Sequence, residues 1–299
     1  MSQTEIERAA VAEIEIAYER FGEAADPPVV LIMGLATQML GWADDFCTEL
    51  AELGHHVVRF DNRDIGLSTH LHGAPPPDLM AAFRGDTSSA SYTLSDMARD
   101  TAGLLDALGL ESAHIVGVSM GGMIAQTLAI EHPQRVRSLT SIMSTTGDSR
   151  VGEATQEAQA ALLAPPAKNV EEATNRTVAV YRVIGSPGYG FDEEALRDVA
   201  RRSYERGFDP AGVERQLLAI LASGDRTERL RTLGVPTIVI HGAEDLLVGV
   251  SGGRATAETV PGAELHVVEG MGHDLPRDLW PEITGWIAAQ VERVERDRG

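Results

Sequence analysis

Short apolar runs alternate with segments of helical periodicity along most of this sequence. The apolar runs lie at 29–33, 56–60, 113–118, 136–143, 235–240 and 263–268, and an extended pair at about 10–20 precedes them. Short runs with little polar alternation are typical of strands that are buried on both faces. With helices between them, such strands predict an α/β fold, in which a mostly parallel sheet carries helices on both faces.

The alternation stops at about residue 147 and resumes at about residue 233. Between these positions the sequence is helical in pattern and is broken by Pro165-Pro166 and by Gly185-Ser186-Pro187-Gly188. We therefore expect residues 1–146 and 233–299 to form one core, interrupted by a helical cap at 147–232. Since ligands of open parallel sheets bind beyond the carboxyl ends of the strands, the functional residues should follow the apolar runs directly.

Charge and cysteine content restrict the class of partner and the compartment. The 299 residues include 45 acidic and 25 basic ones, for a formal net charge of -20. A surface of this charge repels nucleic-acid phosphates and anionic lipid, so we expect a small-molecule partner and neither nucleic acid nor membrane. The single cysteine, Cys47, has no partner for an internal disulfide, and acidic residues interrupt the amino-terminal segment where a secretory signal needs an apolar stretch. These features predict a cytoplasmic protein and leave its oligomeric state open.

The apolar run at 113–118 leads into the pattern G-x-S-x-G at 117–121. Between a strand and an apolar helix, this pattern is typical of a sharp turn that presents a nucleophilic serine, here Ser119. The pattern recurs at 249–253, but nine residues beyond the last strand residue, Ile240, where it opens a helix. We therefore interpret Ser251 as a helix N-cap and predict that Ser119 is the nucleophile.

A serine hydroxyl needs an imidazole to accept its proton and a carboxylate to orient that imidazole. The last two predicted strands offer both groups, because Asp245 follows the run at 235–240 and His273 follows the run at 263–268. The order Ser119, Asp245, His273 is the order expected for a serine nucleophile on this architecture. Glu244, the neighbour of Asp245, is the alternative carboxylate.

The oxyanion that forms during acyl transfer needs preorganised donors, usually two backbone N–H groups. We expect one from Met120, at the amino terminus of the helix after Ser119, where the helix dipole also favours negative charge. We expect the other from Leu35, in the loop after the first central strand, with Gly34 as the alternative.

Three further groups of residues have a structural and a functional interpretation. Asp61 and Arg63 follow a strand, so they are candidates for substrate contact or for a salt-bridged turn that braces the site. His70 and His72 have metal-ligand spacing but no partner cluster nearby in the sequence, so we interpret them as a loop pair and expect neither a metal nor a cofactor. Aromatic residues of the 147–232 segment are candidates for an apolar pocket or for packing inside the cap: Tyr181, Tyr189, Phe191, Tyr204 and Phe208.

Taken together, the motifs resemble the α/β-hydrolase superfamily and, within it, bacterial carboxylesterases related to aclacinomycin methylesterase. The resemblance covers essentially the whole chain and is carried by Met33-Gly34, Gly41-Trp42, 61–69, 117–122 and 270–274. It implies hydrolysis of small to medium, largely apolar esters, methyl esters among them, through an acyl-serine intermediate beneath the cap. A C–C bond hydrolase, a lactonase and a cofactor-free perhydrolase are alternatives on the same residues, and a non-catalytic small-molecule receptor is the alternative of another class.

Overall fold

One eight-stranded sheet forms the centre of the computed structural model, which describes residues 5–298. The strands are β1 Glu7–Val11, β2 Ile14–Phe21, β3 Pro28–Ile32, β4 His56–Phe60, β5 Ala113–Val118, β6 Val136–Ile142, β7 Thr237–Gly242 and β8 Glu264–Val268. They lie in the order β1-β2-β4-β3-β5-β6-β7-β8. β1 and β2 are antiparallel to each other, β2 is antiparallel to β4, and all pairings from β4 to β8 are parallel. The predicted fold class is confirmed.

Helices follow most strands. In the described part of the chain they are α1 Asp44–Glu52, α2 Leu79–Ala82, α3 Leu94–Ala107, α4 Met120–Glu131, α5 Gln156–Leu162, α6 Val170–Ile184, α7 Glu193–Arg206, α8 Pro210–Ser223, α9 Thr227–Leu230, α10 Ser251–Thr259 and α11 Trp280–Arg298. α4 begins at Met120, the residue after Ser119. α5 to α9 all lie in the segment between β6 and β7, which we call the insert.

The core lies on both faces of the sheet, and β3 shows why. All five residues of β3 are buried, and successive side chains of a strand point to opposite faces. Val30 and Ile32 accordingly belong to the cluster that contains residues of α3 and α4, whereas Val29 and Leu31 belong to the cluster that contains residues of α1 and α11. A strand covered twice has no polar alternation, which explains its continuous apolar sequence.

Two arginines of the insert form ion pairs with carboxylates that follow β4. The Arg215 guanidinium contacts both oxygens of Asp64, with Nε–Oδ2 and Nη2–Oδ1 distances of 2.8 and 2.7 Å, and the two side chains are 4% and 0% exposed. Nη2 of Arg206 lies 3.1 Å from Oδ2 of Asp61. These contacts join α7 and α8 to the carboxyl edge of the sheet, where the parallel strands end.

Replacing Arg215 with alanine will lower the free energy of unfolding by about 3–5 kcal/mol, because the Asp64 carboxylate is left buried without its counter-charge. Urea denaturation, with the midpoint and the slope fitted separately, measures this loss. Arg201→Ala is the matched control, since Arg201 pairs with Asp198 where both side chains are 49% exposed; it should cost less than about 1 kcal/mol. Equal losses in the two variants would contradict the assignment of a buried pair.

Candidate active site

Ser119 lies at a tight turn between β5 and α4. Its backbone has φ 56° and ψ -120°, a left-handed conformation that costs a non-glycine residue energy. A Cβ on Gly117 would lie 2.2 Å from the carbonyl oxygen of Gly121, and a Cβ on Gly121 would lie 2.1 Å from that of Ile32. Both positions therefore accept only glycine, and the G-x-S-x-G pattern at 117–121 is required by the close approach of three backbone segments.

The amides predicted for the oxyanion hole lie beside this turn. The Met120 amide is the first of α4, so it has no acceptor within the helix. Among the hydrogen bonds of residues 5–298, the Leu35 amide donates to no acceptor. Gly34 packs on the serine, since a Cβ built on Gly34 would lie 3.2 Å from Cβ and 3.7 Å from Oγ of Ser119. The arrangement leaves two amides without a partner near the hydroxyl, and their role as oxyanion donors stays a prediction.

Asp245 and His273 are brought together by the loops after β7 and β8. Nδ1 of His273 lies 2.7 Å from Oδ2 of Asp245, and the two residues are 8% and 5% exposed. The other carboxylate oxygen, Oδ1, accepts hydrogen bonds from the amides of Leu247 and Val248 at 2.9 and 2.8 Å. With Nδ1–H donating to Asp245, the imidazole keeps the lone pair of Nε2 for a proton.

The alternative carboxylate, Glu244, has a different partner. Its Oε2 accepts a hydrogen bond of 2.6 Å from the amide of Gly270, in the loop that leads to His273. Glu244 therefore holds the backbone of that loop, while Asp245 contacts the imidazole.

Ser119 and His273 share an edge of the sheet but are not joined by a hydrogen bond. They follow β5 and β8, which run in parallel, so both lie beyond the carboxyl ends of the strands. Among residues 5–298, no hydrogen bond links Oγ of Ser119 to the imidazole. In serine hydrolases without substrate this contact is often long and shortens in the substrate complex.

His241 supports the loop that carries Asp245. Its buried ring lies with Nε2 2.7 Å from the carbonyl oxygen of Val248 and 3.5 Å from Oδ2 of Asp245. Burial lowers the pKa of His241, and the Asp245 charge opposes this only in part. The neutral ring donates Nε2–H to Val248, which fixes the turn from which two amides bind the carboxylate.

The turn that follows α6 in the insert packs directly on the loop of His273. The amide of His273 donates to the carbonyl oxygen of Ile184 at 2.7 Å, and the amide of Gly272 donates to Oγ of Ser186 at 2.9 Å. The Ser186 hydroxyl in turn donates to Asp274. Burial raises the pKa of Asp274, and the hydrogen bonds from Ser186 act in the opposite direction. Ser186 could not be identified from the sequence, because its glycine- and proline-rich surroundings indicated only a break between helices.

Asp61 and Arg63 both form ion pairs, but not with each other. Asp61 is fully buried against Arg206, and burial raises the pKa of Asp61 while Arg206 and backbone amides lower it. Arg63 binds both oxygens of Asp100 on α3 at 2.6 Å and lies over the ring of Tyr92. The salt-bridged turn is therefore held by α7 on one side and by α3 on the other.

The expectation for Ser251 was wrong, and the histidine pair has a neighbour that the nearby sequence does not show. Ser251 is the first residue of α10, with Val250 at the cap position, and its Oγ accepts a hydrogen bond from the Gly152 amide. The histidine pair after β4 does have a third partner, because Oδ2 of Asp209 in the insert lies 3.1 Å from Nδ1 of His70 and 3.7 Å from Nδ1 of His72. Neither contact could be read from nearby sequence, since each joins residues about 100 or more positions apart.

Some aromatic residues of the insert are packed inside the protein, and others are exposed at its surface. Tyr204 and Phe208 stack with ring centroids 5.1 Å apart, and the Tyr189 hydroxyl donates to the carbonyl oxygen of Glu269. Burial raises the pKa of Tyr181 to about 12. Phe191 is 44% exposed and lies beside Arg182. Tyr189 thus contacts the loop that leads from β8 to His273.

No helix within residues 5–298 combines the length and apolar character that a membrane crossing requires.

The chain is similar to known proteins in family, in sequence and in structure. A family model described as the alpha/beta hydrolase fold matches residues 27–276. Rhodomycin D methylesterase DauP of Streptomyces sp. (strain C5) is 28% identical, with 93% of this chain and 95% of that protein covered. 3-Oxoadipate enol-lactonase 2 of Acinetobacter baylyi is 26% identical, with 86% of each chain covered. The crystal structure of the enol-lactonase from Burkholderia xenovorans LB400 superposes with a TM-score of 0.74 at 24% identity, over 96% of this chain and 100% of that one. At this identity the structural likeness shows the fold alone.

Proposed function

The chain belongs to the alpha/beta hydrolase fold family, and from this membership we propose that it is a serine carboxylesterase acting on small to medium, largely apolar esters, methyl esters among them. The observation that carries the proposal is the buried hydrogen bond of 2.7 Å between His273 and Asp245. It lies at the same sheet edge as the strained Ser119 turn, so the three groups of an acyl-transfer site follow strands of one sheet.

In the proposed reaction, Oγ of Ser119 attacks the acyl carbon while Nε2 of His273 takes the hydroxyl proton. The amides of Met120 and Leu35 donate to the oxygen that becomes negative, and Asp245 holds Nδ1–H and stabilises the imidazolium. His273 then gives the proton to the departing alcohol, which leaves an acyl-serine. Water, activated by the same imidazole, attacks this ester and releases the acid. Because His273 carries every proton, the proposed cycle needs no cofactor.

Two observations support an ester without negative charge, methyl esters among them, as substrate. The net charge of -20 disfavours anionic molecules, and the relative from Streptomyces is a methylesterase by name. We further propose that residues 147–232 act as a cap over the pocket. Their contacts with the loop of His273 through Ile184 and Ser186 support this role.

A lactonase is the second candidate, because a relative of similar coverage is named an enol-lactonase. A lactone is a cyclic ester, so the same nucleophile, base and oxyanion donors would open it, and the difference would lie in the shape of the pocket. The non-catalytic receptor of the same fold would bind such molecules without turning them over.

Turnover of a matched substrate panel tests the proposal. We expect the purified chain to hydrolyse methyl and p-nitrophenyl esters of short and medium acyl groups with kcat/KM at least about tenfold above that for lactones of equal carbon number, a difference of about 1.4 kcal/mol in transition-state binding. A preference for lactones would assign the second candidate. Covalent labelling by a fluorophosphonate without turnover of any ester would favour the receptor, and the absence of labelling would refute the serine mechanism.

A further inference from the structure

Three side chains outside the proposed active site converge where the core meets the insert. His70 and His72 lie in the loop after β4, and Asp209 directly precedes α8. One nitrogen of each imidazole and one oxygen of the carboxylate all lie within 4.8 Å of one another. We call this set the His70 cluster. It contains two imidazoles and a carboxylate, which together form a common ligand set for transition metals.

The two ring nitrogens of His70 both face oxygen acceptors. Nε2 of His70 lies 3.0 Å from the carbonyl oxygen of Gly66, and Nδ1 lies 3.1 Å from Oδ2 of Asp209. Both partners are acceptors only, whereas a neutral imidazole has a single N–H. If Nε2–H donates to Gly66, the lone pair of Nδ1 faces a carboxylate oxygen. A metal ion between the two removes this repulsion, and an imidazole that donates its other N–H to a carbonyl is the usual arrangement of a metal-binding histidine.

The dimensions of the cluster suit such an ion. Metal–ligand bonds of about 2.0–2.1 Å in tetrahedral geometry place neighbouring ligand atoms about 3.4 Å apart. The distances from Oδ2 of Asp209 to Nδ1 of His70 and of His72 are 3.1 and 3.7 Å, on either side of that value. The two rings are stacked, with centroids 5.5 Å apart and an interplanar angle of 10°. Since His72 is 75% exposed, its side chain can adjust without displacing the core.

The groups around Asp209 leave its carboxylate available to bind a cation. Oδ1 of Asp209 accepts a hydrogen bond of 3.1 Å from the Ala211 amide, which leaves Oδ2 facing the two imidazoles. Arg215 lies 3.3 Å from the same oxygen, yet its guanidinium is already paired with both oxygens of Asp64. Because Asp64 largely neutralises the Arg215 charge, Arg215 repels a divalent cation at Asp209 only weakly.

We propose that His70, His72 and Asp209 bind a divalent transition-metal ion of the zinc class and thereby link the loop after β4 to α8 of the insert. Two imidazole ligands favour zinc, nickel, cobalt or copper over magnesium and calcium, which prefer oxygen. Three protein ligands leave a fourth position for water. The ion would link the insert to the core beside the Arg215–Asp64 pair. It would take no part in the proposed ester chemistry.

Calorimetric titration of the untagged, chelator-treated chain with zinc tests the site. We expect one ion per chain, and at least about tenfold weaker binding for His72→Gln, which removes one ligand from an exposed position. Asp209→Asn should weaken binding at least as much. Since asparagine also caps helices well, this variant keeps the start of α8. His132→Gln, at the carboxyl end of α4, is the control and should bind as the unmodified chain does.

Thermal unfolding gives a second measurement that does not depend on turnover. Zinc at one fixed concentration should raise Tm of the unmodified chain and of His132→Gln equally, and should raise Tm of His72→Gln less. Absence of stoichiometric binding would overturn the proposal, as would equal affinity in His72→Gln and His132→Gln. In either case, the cluster would be explained as a hydrogen-bonded contact between the loop after β4 and the residue that precedes α8. The proposed esterase activity is unaffected by either outcome, because no ligand of the cluster belongs to the triad.

Discussion

Replacing Ser119 with alanine will lower kcat for ester hydrolysis by about 10⁴- to 10⁶-fold, since removal of the nucleophile leaves only the oxyanion donors and binding to accelerate the reaction. The fold should tolerate the change, because the hydroxyl makes no hydrogen bond within residues 5–298 and is half-buried at the turn. Steady-state kinetics with a p-nitrophenyl ester and labelling by a fluorophosphonate measure the two consequences. Labelling should disappear together with turnover.

Ser251→Ala is the control for this experiment, because Ser251 stands in the second G-x-S-x-G pattern of the chain. Its Oγ accepts a hydrogen bond from the Gly152 amide. Ser251 is the first residue of α10 and does not directly follow a strand. We expect kcat within about twofold of the unmodified enzyme, as for most substitutions outside a site. Retention of activity by Ser119→Ala, or an equal loss in both variants, would contradict the assignment of the nucleophile.

Replacing Asp245 with asparagine will lower kcat by about 10⁴-fold, the effect known for loss of the triad carboxylate in a serine protease. Because Oδ1 of Asp245 accepts two amides, from Leu247 and Val248, the carbonyl oxygen of an asparagine will take that place. Its NH₂ group will then face Nδ1 of His273. That ring nitrogen must accept, so the proton moves to Nε2, and the imidazole can no longer take the proton of Ser119.

Glu244→Gln distinguishes Asp245 from its neighbour. Glutamine can still accept the hydrogen bond from the Gly270 amide through its carbonyl oxygen, so kcat should fall by less than about tenfold, in keeping with the modest energy of one hydrogen bond. Kinetics of the two variants at one pH, with KM reported separately, provide the comparison. A large loss in Glu244→Gln beside an active Asp245→Asn would assign the carboxylate to Glu244.

The sequence predicted the features that depend on residues close together in the chain. The continuous apolar run at 29–33 became β3 because both faces of that strand are covered. A Cβ at position 117 or 121 would lie less than 2.5 Å from a backbone oxygen, so both positions require glycine. The atoms involved belong to the strand–turn–helix unit of Ser119 and to the neighbouring strand β3. The position of Asp245 and His273 followed from the rule that parallel strands end at one edge.

Prediction failed where two distant segments meet through side chains. The sequence named no ion-pair partner for Asp61, whose carboxylate is buried against Arg206 of α7. Ser186, which accepts from Gly272 beside His273, lay in a segment where glycine and proline indicated only a turn. Such pairings depend on how the insert is placed on the core, and no periodicity encodes that placement.

By itself, the sequence determined the parallel sheet, the turn that presents Ser119 and the order of the candidate triad, because strand burial and tight turns follow from residues that are neighbours in the chain. The tertiary structure decided that Asp245 rather than Glu244 contacts His273. It also decided that Asp209 reaches His70 and His72, and that Arg206 and Arg215 of the insert neutralise Asp61 and Asp64. The reason is geometric: side-chain contacts of about 3 Å between distant segments depend on the packing of α7 and α8 against the sheet edge, which residues close together in the chain do not determine.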